Sequence, residues 1–135
     1  MSKEYSKLEA SLDKAYSEYI RLKAADDNGY IQCITCGVIR KWNDGMHNGH
    51  YISRAEKATR FNDTNCQCQC LHCNNFREGK KHIFRQRLVE KYGEDEVKKL
   101  EQLSQVKGGY KSFDLKILIP EYRAKVRALK KEKGL

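Results

Sequence analysis

Two pairs of cysteines with the spacing Cys-x-x-Cys could hold a metal ion. The first pair is Cys33 and Cys36, the second is Cys70 and Cys73, and 33 residues separate the two pairs. Thiolates three positions apart in a tight turn can point at one ion, and zinc takes four such ligands in a tetrahedron. In a cytosolic chain, cysteines arranged in this way favour metal binding over disulfides. We therefore predict one structural zinc per chain, held by these four cysteines.

Two further cysteines, Cys66 and Cys68, leave the ligand set open. They alternate with Gln67 and Gln69, so that on a strand Cys66, Cys68 and Cys70 would share one face. Either the two additional cysteines are small buried residues that pack beneath the zinc, or Cys66 replaces one of the four ligands. We favour packing, because the second Cys-x-x-Cys pair is the best match to the first.

Polar residues that could take part in hydrolysis lie between the cysteine pairs and directly after them. The segment between the pairs contains Gly49-His50-Tyr51 and Asn65, and Asn74 follows the second pair. A neutral imidazole with a pKa near the usual value of about 6.5 can accept a proton from water. An amide oxygen is a hard ligand suited to Mg²⁺ or Mn²⁺. These residue types could serve phosphodiester hydrolysis, which needs an activated water and a cation.

The order of these residues resembles that of the HNH, or ββα-metal, nucleases. Those enzymes have a catalytic His on one strand, an Asn after a loop, and a His or Asn metal ligand near the start of a helix, often with flanking Cys-x-x-Cys pairs. The chain also resembles the NinG (Rap) recombination endonucleases of phages, through most of its length. The matching segments are His47-x-Gly49-His50-Tyr51, Arg60-Phe61-Asn62, Asn65-Cys66 and Gln69-Cys70-x-x-Cys73-Asn74.

The resemblance implies a metal-dependent DNA endonuclease that cuts branched or displaced-strand recombination intermediates and is encoded by a phage or prophage. In this reading His50 is the base that activates water, and Asn65 fixes the His50 ring through a hydrogen bond. Asn74 is a ligand of a catalytic Mg²⁺ or Mn²⁺ ion, which stabilises the leaving group. The zinc takes no part in the reaction and only fixes where His50 and Asn74 lie.

One position departs from the HNH pattern. In many HNH enzymes the residue before the base is an Asp or His that also binds the catalytic metal, but here it is Gly49, which has no side chain. We expect His47 to supply the missing ligand, with Asp44 as a less favoured substitute. A shifted register, with His50 as the ligand and the base elsewhere, stays open.

Positive charge is concentrated in the second half of the chain. The net charge is +9, of which residues 1–75 carry +1 and residues 76–135 carry +8. Such an asymmetry indicates a polyanionic partner, most simply nucleic acid, although a solvated helical surface has the same composition. Basic residues around the predicted site would contact phosphates without reading base sequence. These residues are Arg54, Arg60, Arg77, Lys80 and Lys81.

Apolar residues at three- and four-residue spacing predict helices on both sides of the cysteine-rich centre. These helices cover residues 5–25, 81–92 and 94–106. A last helical stretch begins near Ser112, and we expect Pro120 to break or restart it.

Short strands are predicted in the centre, where residues 30–32 and 38–42 form a hairpin and residues 50–53 a further strand. We therefore expect an α+β fold with a small zinc-stabilised ββα-metal (HNH-like) core, flanked by N-terminal and C-terminal helices. Its parts within one compact domain are an N-terminal helix (1–29), the nuclease core (30–81) and a basic helical C-terminal region (82–135).

Hydropathy predicts a cytoplasmic protein without a membrane partner, in the bacterial host if the gene belongs to a phage. There is no apolar N-terminal run, and the longest aliphatic stretch, residues 117–119, is far too short to span a bilayer. Symmetric cutting of two strands would suit a homodimer, although no coiled-coil pattern supports one. The alternative function is a non-catalytic zinc-knuckle protein that binds DNA or RNA, with His50 and Asn74 in structural roles. A protein adaptor is a weaker third hypothesis.

Overall fold

The computed structural model describes residues 2–135, apart from the side chains of residues 77 and 78. Over this range the chain is a mixed α+β protein with two antiparallel two-stranded sheets, which confirms the predicted class. No helix in this range has the length and apolar character needed to cross a membrane. The helices are α1 (Lys3–Ala24), α2 (Leu71–Asn75), α3 (Arg77–Tyr92), α4 (Glu94–Leu103) and α5 (Ser112–Lys133), and the strands are β1 (Tyr30–Gln32), β2 (Ile39–Lys41), β3 (Met46–His50) and β4 (Cys66–Cys70).

The two long helices, α1 and α5, pack against each other and against the second sheet. Leu12 and Tyr16 of α1 share one buried apolar core with Leu115 of α5 and with cysteines of β4. Lys133, near the end of α5, donates a hydrogen bond of 2.7 Å to the carbonyl oxygen of Leu22. The same ammonium donates to the carbonyl oxygen of Lys23 at 3.1 Å, so its positive charge lies against the last carbonyls of α1. The predicted N-terminal helix is confirmed.

Helix α5 continues without a break through Pro120, so the predicted interruption is wrong. Proline at this position removes one backbone N–H and with it the helical bond to the carbonyl of Lys116. Both residues are exposed, so water can bond to that carbonyl. Ile119 is buried before Pro120 and Val126 is buried after it, so the helix packs against the rest of the protein on either side of the missing bond.

The first sheet is the predicted hairpin. Strands β1 and β2 pair antiparallel, with Ile31 opposite Arg40. The turn that joins them carries the first cysteine pair, and the backbone N–H of Cys33 donates to the carbonyl of Val38 at 2.9 Å.

The second sheet joins β3 to β4, with His47 opposite Gln69 and His50 opposite Cys66. The predicted strand over residues 50–53 is wrong, because β3 ends at His50. Beyond it the ladder stops where the side-chain oxygen of Asn65 accepts a hydrogen bond from the backbone of Ile52 at 2.7 Å. The sequence of β3 contains Asn and Gly, which are poor strand formers, so its strand character comes from pairing with β4.

Helices α3 and α4 form a second, smaller core. Phe84 of α3 packs with Val97 of α4 in a fully buried cluster. Helix α3 begins at Arg77, four residues before the predicted start. The hydroxyl of Tyr51 donates to a carboxylate oxygen of Glu101 at 2.6 Å, which fastens the segment after β3 to α4.

Candidate functional site

The four paired cysteines come together in one cluster. Their sulfur atoms all lie within 4.8 Å of one another, and the Sγ atoms of Cys36 and Cys70 are 3.8 Å apart. Four thiolates at the usual zinc–sulfur distance of about 2.3 Å would have sulfur–sulfur separations of about 3.8 Å. The cluster can therefore hold a metal ion such as zinc. A bound ion would join the turn between β1 and β2 to the junction of β4 and α2.

Cys33 has the surroundings of a metal-binding thiolate. Burial acts to raise its pKa, but hydrogen bonds from the backbone of Cys36 and the hydroxyl of Thr35 lower the pKa of Cys33 to about 6. The Thr35 oxygen lies 3.4 Å from the sulfur. A thiol with such a pKa is largely ionised at neutral pH, as a zinc ligand must be.

Cys66 and Cys68 lie apart from the cluster and pack in the core. Burial raises the pKa of Cys66 to about 12 and that of Cys68 to about 11, so both thiols are protonated at neutral pH. The Cys66 sulfur is 3.4 Å from the carbonyl oxygen of Arg60, and the Cys68 sulfur is 3.8 Å from that of Ile20. This environment agrees with the packing role that we favoured.

A polar cleft of about 910 Å³ runs along the free edge of β3, beside the cysteine cluster. One of its walls is α1, and the other is formed by α2 and the start of α3. Five predicted site residues line the cleft. Three belong to the predicted catalytic and cation site and two are predicted phosphate contacts: His47, His50 and Asn74, and Arg54 and Lys81. Residues from separate parts of the predicted motif thus meet at one open surface.

The ring of His50 has a fixed orientation. Its Nε2 lies 2.9 Å from the carbonyl oxygen of Arg60, so Nε2–H is the donor and the proton of the neutral ring is on that nitrogen. Burial lowers the pKa of His50 to about 4. The other nitrogen, Nδ1, has no hydrogen-bond partner among the described residues, and at neutral pH it carries a free lone pair. At neutral pH His50 is therefore a neutral ring with its proton on Nε2, and its pKa lies below the value near 6.5 that we expected from the sequence.

The predicted hydrogen bond between Asn65 and the His50 ring is wrong, because the ring bonds to the carbonyl of Arg60 and the Asn65 side chain bonds to Ile52 and Thr59. Its side chain is fully buried and bonds to the segment after β3. The amide oxygen accepts from the backbone of Ile52, and the amide nitrogen donates to the carbonyls of Ile52 and Thr59, each at 3.0 Å. Asn65 thus fixes the loop that carries Arg60, whose carbonyl in turn orients the ring.

His47 and Asn74 are neighbours across the cleft. The Nδ1 atom of His47 lies 3.3 Å from the side-chain nitrogen of Asn74. Rotating the Asn74 amide by 180° would place its Oδ1 at nearly the same distance from His47 Nδ1. That separation is close to the spacing of about 3 Å between adjacent ligands on an octahedral cation with bonds of about 2.1 Å. The two side chains could hold one hard divalent ion together.

The other residues considered as ligands lie elsewhere. Gly49 is buried within β3, between His47 and His50. Asp44 is exposed in the turn before β3 and does not line the cleft. Of the two substitutes considered for the missing side chain at Gly49, only His47 is in position.

The predicted phosphate-binding residues divide into different environments. Arg54 is exposed at the cleft, whereas Arg60 is mostly buried and its Nε bonds to Asp13 of α1 at 3.0 Å. Arg60 could not reach DNA without breaking this ion pair, which argues against a phosphate contact by this residue. The ammonium of Lys81 donates to the carbonyl oxygen of His50 at 2.7 Å and also to that of Tyr51.

The two remaining basic residues lie near the start of α3. The Lys80 ammonium sits 5.5 Å from the ring centre of Phe76, in a cation–π contact at the surface. Arg77 was also predicted to contact phosphate, and its side chain lies outside the described part of the structure.

Sequence reasoning missed the contribution of α1 to the cleft. Asp13, Ser17 and Arg21 of this helix line the wall opposite Asn74. Their four-residue spacing places them on one helix face, and that polar stripe is a signal present in the sequence. What the helix faces depends on tertiary packing, which the stripe does not reveal.

The chain matches one family of known proteins. The family model described as "Bacteriophage Lambda NinG protein" matches residues 1–132. The curated "Protein ninG" of Escherichia phage lambda is 26% identical over 124 residues, which are 90% of this chain and 56% of the relative. The chain therefore spans a little over half the length of that relative. No solved structure matches.

Proposed function

The chain belongs to the NinG family, and from that premise we propose that it is a metal-dependent endonuclease with a ββα-metal core that hydrolyses phosphodiester bonds in branched DNA. The observation that carries the proposal is the convergence of an oriented, neutral His50 and the His47–Asn74 pair on one open polar cleft. Phosphodiester hydrolysis needs such a combination of a base and a cation site.

His50 is the proposed general base. With Nε2–H engaged by the Arg60 carbonyl, Nδ1 can accept a proton from a water molecule that attacks the phosphorus. The hydrogen bond keeps the ring from rotating and keeps the proton on the remote nitrogen. Because burial lowers the pKa of His50 to about 4, the ring is neutral throughout the physiological range, but it is a weaker base than an imidazole with the ordinary pKa of about 6.5.

His47 and Asn74 are the proposed protein ligands of a divalent cation. An imidazole nitrogen and an amide oxygen fit Mg²⁺ or Mn²⁺, and Mn²⁺ tolerates the nitrogen ligand better. When bound, the cation would offset the negative charge that develops on the leaving oxygen. In this proposal His50 orients the attacking water, and the exposed Arg54 holds the phosphate beside this site.

The cysteine cluster would act as a structural clamp in this enzyme. It joins the first hairpin to the start of α2, and Asn74 directly follows Cys73. A zinc ion in the cluster would therefore fix Asn74 relative to β3, without contact with the substrate. The resemblance to recombination endonucleases is what suggests branched rather than linear DNA as the substrate.

The proposal is tested by cleavage of labelled four-way, flap and linear DNA in the presence of Mg²⁺, Mn²⁺ or EDTA. Wild-type protein should cut branched substrates only with a divalent cation. His50→Ala should reduce the rate by about 10²-fold or more, as expected for loss of a general base. His82→Ala is the matched control, because His82 is exposed on α3 outside the cleft, and it should cut like the wild type.

Two results would contradict the proposal in different ways. Binding without cutting under every metal condition would favour the non-catalytic nucleic-acid-binding function instead. Equal rates for wild type and His50→Ala would mean that another group activates the water.

A further inference from the structure

Gly49 lies so close to Gln69 that no other residue fits at position 49. A Cβ atom on Gly49 would be 2.8 Å from Gln69 Cβ and 3.1 Å from Gln69 Cδ, and closer still to Gln69 Oε1. Gly49 is not among the glycines with positive φ, so its backbone conformation does not require glycine. The requirement comes from the Gln69 side chain, which occupies the space where a side chain at position 49 would begin.

The amide of Gln69 has one allowed orientation. Its Nε2 donates to the carbonyl oxygen of Gly79 at 2.8 Å and to the Thr35 hydroxyl at 3.1 Å. Rotating the Gln69 amide by 180° would place Oε1 against the carbonyl oxygen of Gly79, and two acceptors cannot form a hydrogen bond. The oxygen Oε1 must therefore face Gly49.

This oxygen has no hydrogen-bond partner among the described residues, although Gln69 is fully buried. A buried carbonyl oxygen without a partner is uncommon, because it loses its bonds to water and gains none in return. Its neighbour on the strand, Gln67, differs in this respect, since Gln67 Oε1 accepts from Lys91 at 3.0 Å.

Gln69 is placed beside the His47–Asn74 pair. His47 is its direct partner in the antiparallel ladder, so both side chains project from the same face of the β3–β4 sheet. The Asn74 side chain contacts His47 on that face. The backbone carbonyl of Asn74 lies close to Gly79, whose own carbonyl accepts a hydrogen bond from Gln69. One imidazole and two amide groups therefore share one face of the sheet.

We propose that Gln69 Oε1 is the third protein ligand of the divalent cation and replaces the side chain that is absent at Gly49. This inference rests on the proposed nuclease function and names a ligand for the same site. An amide oxygen is a suitable hard ligand for Mg²⁺ or Mn²⁺. The resulting set of His47, Asn74 and Gln69 has no carboxylate, so the cation keeps its full charge for the phosphate and binds weakly without DNA.

The direct test is an NMR titration of ¹⁵N-labelled, zinc-loaded wild-type protein with Mg²⁺, a diamagnetic ion that shifts the signals of its ligands without broadening distant ones. The side-chain amide signals of Gln69 and Asn74 should shift as Mg²⁺ is added, whereas those of Gln67 should stay in place. A Gln69 signal that shifts no more than that of Gln67 would overturn the assignment. This measurement needs no variant and does not depend on catalysis.

A set of variants tests the same ligand by Mn²⁺ affinity. Gln69→Met keeps the size of the side chain without its oxygen and should weaken Mn²⁺ binding by about ten-fold or more, while Gln67→Met should leave it unchanged. Gly49→Asp combined with Gln69→Gly should restore binding, because glycine at 69 removes both the Cβ and the amide that would clash with a side chain at 49. Failure of this double variant to bind Mn²⁺ better than Gln69→Met would count against the proposal.

Cleavage measured in parallel separates the two proposals. If the wild type cuts DNA with a divalent cation but the Gln69 signals do not shift with Mg²⁺, the ligand is wrong and the nuclease function stands. If the Gln69 signals shift but no substrate is cut, the cation site stands and the nuclease function is wrong.

Discussion

The imidazole of His50 donates a hydrogen bond from Nε2 to the carbonyl oxygen of Arg60 across 2.9 Å. The guanidinium of Arg60 is in turn bonded to Asp13 of α1. A side chain on a strand is thus oriented by the backbone of a loop, and that loop is held by an ion pair to the N-terminal helix. The backbone carbonyl of Arg60, a residue that we predicted to bind phosphate, is thus the hydrogen-bond partner of the His50 ring.

Burial of His50 should make the stability of the protein depend on pH. Its pKa falls from 6.5 to about 4 on folding, so between these values the unfolded chain binds a proton that the folded chain does not. Stability from this group is present above pH 6.5 and is lost as the pH falls toward 4. The linkage relation gives a loss of about 2 kcal/mol between pH 7 and pH 5. Urea unfolding at the two pH values measures it.

The His50→Ala variant is the control for this pH effect. It should lose most of the difference between pH 7 and pH 5, because the titrating group is gone. An NMR titration of the His50 ring should independently give a value well below 6.5. A ring that titrates at its ordinary pKa would show that His50 is solvated.

Arg60→Ala should destabilise the protein by about 3 kcal/mol, because it removes the direct partner of Asp13, whose side chain is only 21% exposed. Arg60 bonds to Asp13 and lies 3.6 Å from Glu9, and its side chain is only 11% exposed. Arg54→Ala is the matched control, since Arg54 is 60% exposed and 3.8 Å from the same Asp13. It should cost less than about 1 kcal/mol. Equal urea midpoints for the two variants would contradict the proposed role of Arg60.

The local features of this fold were readable in the sequence, because they depend on neighbouring residues. The apolar stripe that includes Leu12 and Tyr16 predicts α1, and the Cys-x-x-Cys spacing predicts the cluster that the four cysteines form. The strand β3 was misplaced, since Asn48 and Gly49 disfavour a strand locally and only pairing with β4 creates one.

Long-range contacts explain what the sequence could not show. The four-residue spacing of polar residues shows that Asp13 and Arg21 share one face of α1. It does not show that this face lies against β3. The bond between the His50 ring and a backbone carbonyl is equally hidden, because any residue type can supply that oxygen. Pro120 predicted a helix break that does not occur. Burial of Ile119 before it and of Val126 after it stabilises the helix against the local preference of proline.

Substitutions of the four clustered cysteines should abolish zinc binding, whereas substitution of Cys66 or Cys68 should not. Cys36→Ser and Cys70→Ser should lose the metal, as each removes one of four ligands at the observed cluster. Cys68→Ala should keep one zinc per chain and lose about 1–2 kcal/mol of stability, because it deletes only a small buried group. Metal analysis after gel filtration, with thermal unfolding alongside, measures both effects. Two zinc ions per wild-type chain, or metal-free Cys68→Ala, would be inconsistent with the cluster.

Asn65→Ala should impair catalysis without weakening DNA binding. It leaves three backbone groups of the loop, on Ile52 and Thr59, without partners in a fully buried place, which should cost at least about 3 kcal/mol. The same loop carries the Arg60 carbonyl, so the His50 ring should lose its fixed orientation. We therefore expect kcat to fall by about ten-fold or more while KM for DNA changes little.

Asn62→Ala is the comparison for the Asn65 variant. Asn62 also stabilises the loop, through bonds from the backbone of Thr64 and Asn65 to its side-chain oxygen, but it does not bond to Ile52 or Thr59. It should lower stability by about 1 kcal/mol and leave kcat near the wild-type value. If both variants reduce kcat in proportion to their loss of stability, then Asn65 acts only through folding. A loss of kcat confined to Asn65→Ala, measured well below the unfolding temperature, would tie the loop to the orientation of His50.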